Sequence, residues 1–524
     1  MEFKPSKYQE CVFDFTRAQV ERMSGNTIEY IRLMKEISNK DFVINKNTSK
    51  NLIIEDVHHS VVCAVAGSGK TKTGKELIKL IPRNMSVVFV AFNKHIADNL
   101  KPELPQNARA MTLNAMGHGA VSWAMQQNGK RINVDAFKVN NLVRQILQTD
   151  YMNMNQEEVN AMQPVAVRIV ALLKGTLLPI NRESVEYLLE RYTIDNEVDH
   201  EILTQICAKV MLKCKQVLGR NETCDIDFND QLWLPVVLNL PLFQNDFVLV
   251  DEAQDMNACQ LELVLKACKP AGTIIAIGDP NQSIYGFMGA DVESVPKIIK
   301  RLNAIELPLS ISYRCPISHV KLAQKIVPEI EPSEWAEEGI IKNIKESEIV
   351  DNVSNGDLII CRYNAPLVKP CFQLIRAGKK ANIKGRDIGT NLITLIRKIK
   401  GNSMREFLVH LKEWKNKEKS KCEISGKSSE SIMDKYETIL VLSEECDDTN
   451  CLIQKIQTIF SDDVSAIQLS SIHKAKGLEA NNVGILKPSL IPSCYARASW
   501  EFDQERNLKY VASTRAKKCL MLIE

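Results

Sequence analysis

Val61-Val62-Cys63-Ala64-Val65-Ala66-Gly67-Ser68-Gly69-Lys70-Thr71 is an apolar run that turns through two glycines into Lys-Thr and continues as the amphipathic segment Thr73 to Leu80. The spacing predicts a strand, a phosphate-binding loop and a helix. In such a loop the backbone N–H groups of Ala66, Gly67, Ser68 and Gly69 converge on phosphate oxygens. Lys70 then reaches the β- and γ-phosphates, and the Thr71 hydroxyl sits on Mg²⁺. Ala64 stands where the general pattern begins with glycine, so the loop taken alone also reads as a helix start.

A second half-site lies at Phe247-Val248-Leu249-Val250-Asp251-Glu252-Ala253-Gln254-Asp255. Four apolar residues fit a parallel strand buried on both faces, and two carboxylates follow at its end. Asp251 is a Mg²⁺ ligand candidate and Glu252 a candidate to polarise water. An apolar strand that delivers Asp-Glu downstream of a phosphate loop is what a nucleotide hydrolase requires.

The 524 residues exceed a single core, and two to four domains are expected. Apolar residues make up 45% and charged residues 25%, and the net charge of +3 is nearly balanced, so any nucleic-acid surface is local. The 15 cysteines form no Cys-x-x-Cys pair and no Cys/His cluster, which argues against zinc or iron–sulfur sites and for reduced thiols. The N-terminus lacks an apolar signal core and no run reaches membrane-spanning length. A cytoplasmic protein is expected, nuclear if eukaryotic, with no membrane partner.

In chain order, Ser6 reads as the cap of a helix that carries Gln9 on its first turn, a candidate for adenine recognition ahead of the loop. Residues 24–56 read as a polar, irregular insertion. Ser86 to Phe92 and Asn93 to Leu100 form a second βα unit, with Phe92 and Asn93 at its turn. Arg109 to Gly119, including Thr112, mixes a short strand with small residues that either admit a nucleic-acid backbone or simply shape a loop. Trp123 to Gly219 has helical periodicity and interrupts the α/β alternation. Thr273 to Ile277 is another buried strand, leading into Gly278-Asp279-Pro280-Asn281-Gln282-Ser283-Ile284-Tyr285-Gly286-Phe287. Gln282 is placed to sense a γ-phosphate, and Tyr285 and Phe287 are candidates to stack on exposed bases.

These last two motifs, 251–255 and 278–290, resemble the superfamily 1 helicases of the UvrD/Rep/PcrA group. Leu309 to Cys315 is similar to the group's fourth motif, which implies that Tyr313 stacks on adenine and Arg314 contacts the γ-phosphate. Asp357 to Ala365 resembles the strand that opens the second core, with Arg362 and Asn364 near DNA. Ile467 to Glu479 resembles the fifth motif, implying that His473 and Lys476 face DNA and Glu479 the ATP sugar. Glu505 to Ala516 resembles the sixth, with Arg515 as arginine finger. The sequence departs from the group at Met288, where arginine is common, at Phe287, where tryptophan is, and at Asn114, where histidine is.

The architecture expected is α/β: two RecA-like cores, each a mainly parallel sheet, with ATP between them and helical insertions in both. The first core occupies 1–110 and 226–308 around an insertion at 111–225. The second occupies 309–385 and 463–524 around a reduced helical insertion at 386–462, lysine-rich from Lys412 to Lys421. The resemblance implies an ATP-dependent DNA helicase that moves 3′ to 5′ on single-stranded DNA and engages single/double-strand junctions, with room for a protein loading partner. Two other readings stay open: a translocase that strips proteins from DNA with little unwinding, and a nucleotide-switched subunit of a larger assembly.

Overall fold

The computed structural model describes residues 4–43, 57–192, 194, 198–216, 223–284, 294–399, 401, 403–424, 429–444, 446–460 and 466–524. Tyr285, Phe287 and Met288 lie outside them. The chain divides into two compact units, one formed by 1–64 and 69–309, the other by 65–68 and 310–524.

The first unit contains strands β1 (Ser60–Ala64), β2 (Val87–Val90), β3 (Ala108–Met111), β4 (Arg131–Val134), β5 (Thr223–Ile226), β6 (Asn245–Val250), β7 (Cys268–Gly278) and β8 (Ile305–Leu309). Six of them form a parallel sheet in the order β3-β2-β6-β7-β1-β8, while β4 and β5 pair separately. Val87 to Val90 and Phe247 to Val250 are buried throughout, which explains why both read as unbroken apolar runs: helices cover each face. The order puts the ends of β6, β7 and β1 side by side, and all three candidate catalytic stretches leave the sheet there.

Two expectations change. The stretch 24–56 is not irregular throughout, because Thr27–Ser38 is a helix capped by Asn26. Tyr30, Leu33, Met34 and Ile37 give it a buried stripe at helical spacing, and it packs on the helix Lys7–Met23. Likewise, Arg109 to Gly119 is not a strand with a loop: Thr112 caps a helix, Leu113–Gln127. A Cβ on Gly117 would fall 1.9 Å from the Gln231 carbonyl oxygen, so this small residue admits the backbone of the helix Phe228–Val237 rather than a nucleic acid.

The helical region is tied to this core by buried charge. Lys174, on the helix Gln156–Thr176, contacts Asp230 at 2.7 Å and Asp227 at 3.0 Å, and Lys138 reaches Asp230 at 2.6 Å. Burial alone would lower the Lys174 pKa, but Asp230 and Asp227 reverse this and hold it above its ordinary value.

The second unit holds β9 (Ile311–Ser312), β10 (Glu331–Pro332), β11 (Ile340–Ile344), β12 (Leu358–Cys361), β13 (Ala381–Ile383), β14 (Ile467–Ser471), β15 (Ala480–Leu486) and β16 (Ala516–Ile523). Its parallel sheet runs β11-β16-β15-β12-β14-β13, and β9 pairs with β10 alone. The sheet therefore opens in chain order with β11, not with the 358–361 strand. Helices Arg386–Lys398, Met404–Ile424, Glu430–Ser443 and Thr449–Ile459 intervene between β13 and β14. They bury Leu392, Ile396, Phe407, Leu411, Ile439, Leu442, Leu452 and Ile456 in one core with the sheet.

Candidate active site

At the end of β1 the chain turns through Gly67 (φ 75°) and Gly69 (φ 78°), left-handed conformations that glycine adopts without Cβ strain. The helix Lys70–Lys79 follows, with its N-terminus and the positive end of its dipole toward the turn. Ser68 is buried, and its hydroxyl has no hydrogen-bond partner among the described residues. Such an orphan group suits a site built for a polar ligand. Gln9 is also buried: its amide accepts from the Ser6 N–H (3.0 Å) and donates to Thr73 Oγ1 (3.0 Å) on the same helix.

The end of β6 brings its carboxylates to this helix. Thr71 Oγ1 donates to Asp251 Oδ2 at 2.9 Å, and Lys70 Nζ lies 3.5 Å from Glu252 Oε1. Glu252 sits at φ 55°, a left-handed backbone that costs a non-glycine residue about 1–3 kcal/mol and recurs at functional sites. Gln254, which the motif reading quoted without a role, is wholly buried and joins this pair to β7. Its Oε1 accepts the Asp279 N–H at 2.9 Å, which leaves the amide nitrogen to donate to Glu252 Oε2. Asp279 Oδ2 in turn accepts from Gln282 Nε2 at 2.6 Å. A Cβ on Gly278 would come within 2.5 Å of Gln254 Oε1, so this glycine is required for the close approach. A line of one ion pair and three hydrogen bonds thus runs from Lys70 through Glu252, Gln254 and Asp279 to Gln282.

Among the described residues, Lys70 faces the carboxylates of Asp251, Glu252 and Asp279. Burial pushes Asp251 up to about 6, with Glu252 adding and Lys70 and Thr71 opposing. Asp279 is pushed up to about 6 as well, chiefly by burial, against the pull of Lys70. Such an excess of buried negative charge favours an added cation. Among the described residues no three His, Cys, Asp or Glu side chains form a cage. Hydroxyl and carboxylate donors without a cage match Mg²⁺, which keeps waters and substrate phosphates in its shell. Thr71 and Asp251 fit it.

Within the second unit, the loop residues 65–68 meet the fourth and sixth motifs. The Ala66 N–H donates to Tyr510 Oη (2.9 Å), and the Tyr313 N–H to the Gly67 carbonyl (2.9 Å). Arg314 Nε donates to Glu479 Oε2 at 2.6 Å. Although burial opposes it, Arg314 and Lys517 hold the Glu479 carboxyl below its usual range. Arg515 is 1% exposed and donates to the carbonyls of Val511 and Leu478 and to Thr514 Oγ1. Arg314 also reaches the Thr514 carbonyl, so Arg314, Glu479 and Arg515 share one neighbourhood.

The residues assigned to DNA by resemblance have varied surroundings. Phe92 is 51% exposed at the end of β2, and Asn93 and Thr112 cap the helices that follow β2 and β3. Arg362 is held by Glu505 (2.6 Å) and Glu430 (2.8 Å), and Asn364 Nδ2 donates to Asp434 Oδ2 (2.9 Å). Burial, with Arg362 nearby, pushes His473 down to about 3, so it is neutral; Lys476 is half-buried. Glu430 and Asp434 are not legible in the sequence because they come from the inserted helix Glu430–Ser443, remote in the chain.

Known proteins resemble both ends of the chain. Residues 45–303 match the UvrD/REP helicase N-terminal domain and 467–523 the UvrD-like helicase C-terminal domain. The F-box DNA helicase protein 1 of Schizosaccharomyces pombe is 24% identical over 512 residues, covering 88% of this chain and 55% of that protein. F-box DNA helicase 1 of Gallus gallus is 24% identical over 526 residues, 88% of this chain and 47% of its own. ATP-dependent DNA helicase PcrA of Staphylococcus epidermidis is 34% identical over 100 residues, 18% of this chain and 13% of the relative. The chain spans about half the length of the two F-box relatives. With the phosphate loop, its acidic partner strand and both matched domains in sequence, the chain belongs to the UvrD/Rep family of helicases.

Proposed function

We propose that this chain is an ATP-dependent DNA helicase motor that moves 3′ to 5′ along single-stranded DNA and opens duplex at single/double-strand junctions. The observation that carries the reading is the line from Lys70 to Gln282, which joins the phosphate loop to the ends of two neighbouring strands. The six segments read from the sequence serve as its domain boundaries.

In this reading Lys70 and the backbone of Ala66 to Gly69 hold the nucleotide's phosphates, and the Ser68 hydroxyl gains a partner. Thr71 and Asp251 would hold Mg²⁺, which would offset phosphate charge. Glu252 takes a proton from the attacking water as its oxygen bonds to the γ-phosphorus and the bridging bond to ADP breaks. Gln282 senses the γ-phosphate and passes its state through Asp279 and Gln254. Arg314 and Arg515 turn from their present partners to the charge that develops in the transition state. Tyr313 stacks on the adenine, with Gln9 and Glu479 completing nucleotide contacts. Phe92, Asn93, Thr112, Tyr285, Phe287, Arg362, Asn364, His473 and Lys476 contact DNA, where phosphate contacts make binding salt-sensitive.

The test is ATP hydrolysis by the wild type, Lys70→Ala and Glu252→Gln, with and without single-stranded DNA, beside strand displacement from 3′-tailed and 5′-tailed duplexes. DNA-stimulated turnover lost in both variants, with displacement from the 3′ tail alone, is expected. Stimulation without displacement replaces this reading with the protein-stripping translocase. Turnover indifferent to DNA replaces it with the nucleotide-switched subunit.

A further inference from the structure

Trp335 has no place in any of the motifs, yet it lies face to face with one of their residues. Its ring and that of Tyr313 stack with centroids 6.0 Å apart and planes 25° from parallel. The chain builds this pair deliberately. Strands β9 and β10 are in register, with Ile311 opposite Glu331 and Ser312 opposite Pro332. One further bond, from the Ser333 N–H to the Ser312 carbonyl (3.2 Å), carries the pairing to the threshold of Tyr313. A turn closed from the Ala336 N–H to the Ser333 carbonyl (3.0 Å) then sets Trp335 beside it. The Tyr313 backbone is meanwhile bonded to Gly67 in the phosphate loop.

Trp335 is nevertheless 67% exposed, so it is not there to fill a core. An indole kept largely in water but locked against a second ring is a platform for a flat ligand.

We propose that Trp335 is a positioning residue for the nucleotide base. It backs Tyr313, so that a purine stacked on the opposite face of Tyr313 completes a stack of three rings. This rests on the nucleotide reading of Tyr313 given above. The backing ring orients the tyrosine and enlarges the polarisable surface under the base. It touches no phosphate, so its influence falls on base affinity and leaves the chemical step alone.

The experiment measures ATP hydrolysis at saturating single-stranded DNA for the wild type, Trp335→Ala, Trp335→Phe, Tyr313→Ala and the double alanine variant, together with binding of a ribose-labelled fluorescent ATP. Trp335→Ala is expected to raise KM and the Kd of the labelled nucleotide by about three- to tenfold, the worth of one aromatic pair, with kcat unchanged. Trp335→Phe is expected to restore most of the loss, and Trp335→Ala to add nothing once Tyr313 is alanine. An unchanged KM, a fall in kcat alone, or additivity with Tyr313→Ala overturns the proposal while the nucleotide reading stands. Failure of the wild type to bind or hydrolyse ATP overturns both.

Discussion

Two clusters of buried charge lie in the first unit, and they are composed differently. The one beneath the helical region has two lysines and two aspartates, Lys138, Lys174, Asp227 and Asp230, and its charges cancel. The one at the ends of β6 and β7 has, among the described residues, Lys70 against Asp251, Glu252 and Asp279, and these charges do not. The closed cluster fastens helices together. The open one is held at a cost by the fold and favours an added cation. Balance of buried charge, rather than its presence, separates a structural device from a reactive one.

The sharpest way to break this contrast is Glu252→Gln. Turnover should fall by about 10²–10⁴-fold, the usual worth of a general base, with the denaturation midpoint unmoved; a variant that unfolds early would show the open cluster to be structural. Lys174→Met should do the reverse. It leaves two aspartates buried with one remaining lysine and should cost about 3–5 kcal/mol in chemical denaturation, whereas an unaffected midpoint would show that the closed cluster fastens nothing. Mg²⁺ with a non-hydrolysable ATP analogue should stabilise the wild type by about 2.7 kcal/mol at a hundred times Kd, and Asp251→Asn far less, read as a shift in melting temperature. Equal shifts in both would remove Asp251 from the metal site.

The smallest effect is that of pH. Asp251 and Asp279 are raised to about 6, so their charged forms are lost as pH falls through that value. The kcat/KM for ATP should therefore decline below about pH 6, by about tenfold per unit at most for a single essential carboxylate. A profile flat to pH 5 would mean that neither must be ionised in the free enzyme.

The sequence disclosed the strands well because parallel strands buried on both faces leave unbroken runs such as Val87 to Val90 and Phe247 to Val250, and the chemistry follows their ends. It disclosed less where the meaning of a residue depends on a remote partner. Gln254 stood inside a quoted motif, yet only the approach of β7 shows what its two ends bind. Lys174 looks like one charge in an apolar helix until Asp227 and Asp230 return to it. Gly117 suggested a loop because its reason, the Gln231 carbonyl, lies on another helix. The helix Thr27–Ser38 was missed because its many charges hide a four-residue stripe.

One bond of Gln254 has a mechanical meaning. Its main-chain carbonyl accepts the hydroxyl of Ser294, the first residue of the helix Ser294–Leu302, while its side chain takes the Asp279 N–H just ahead of Gln282. Gln254 therefore grips the end of β7 and the start of that helix at once. Like two piers set on one raft, Asp279 and Ser294 are fixed to the same residue. Because its amide nitrogen also holds Glu252, a displacement of that carboxylate reaches both piers.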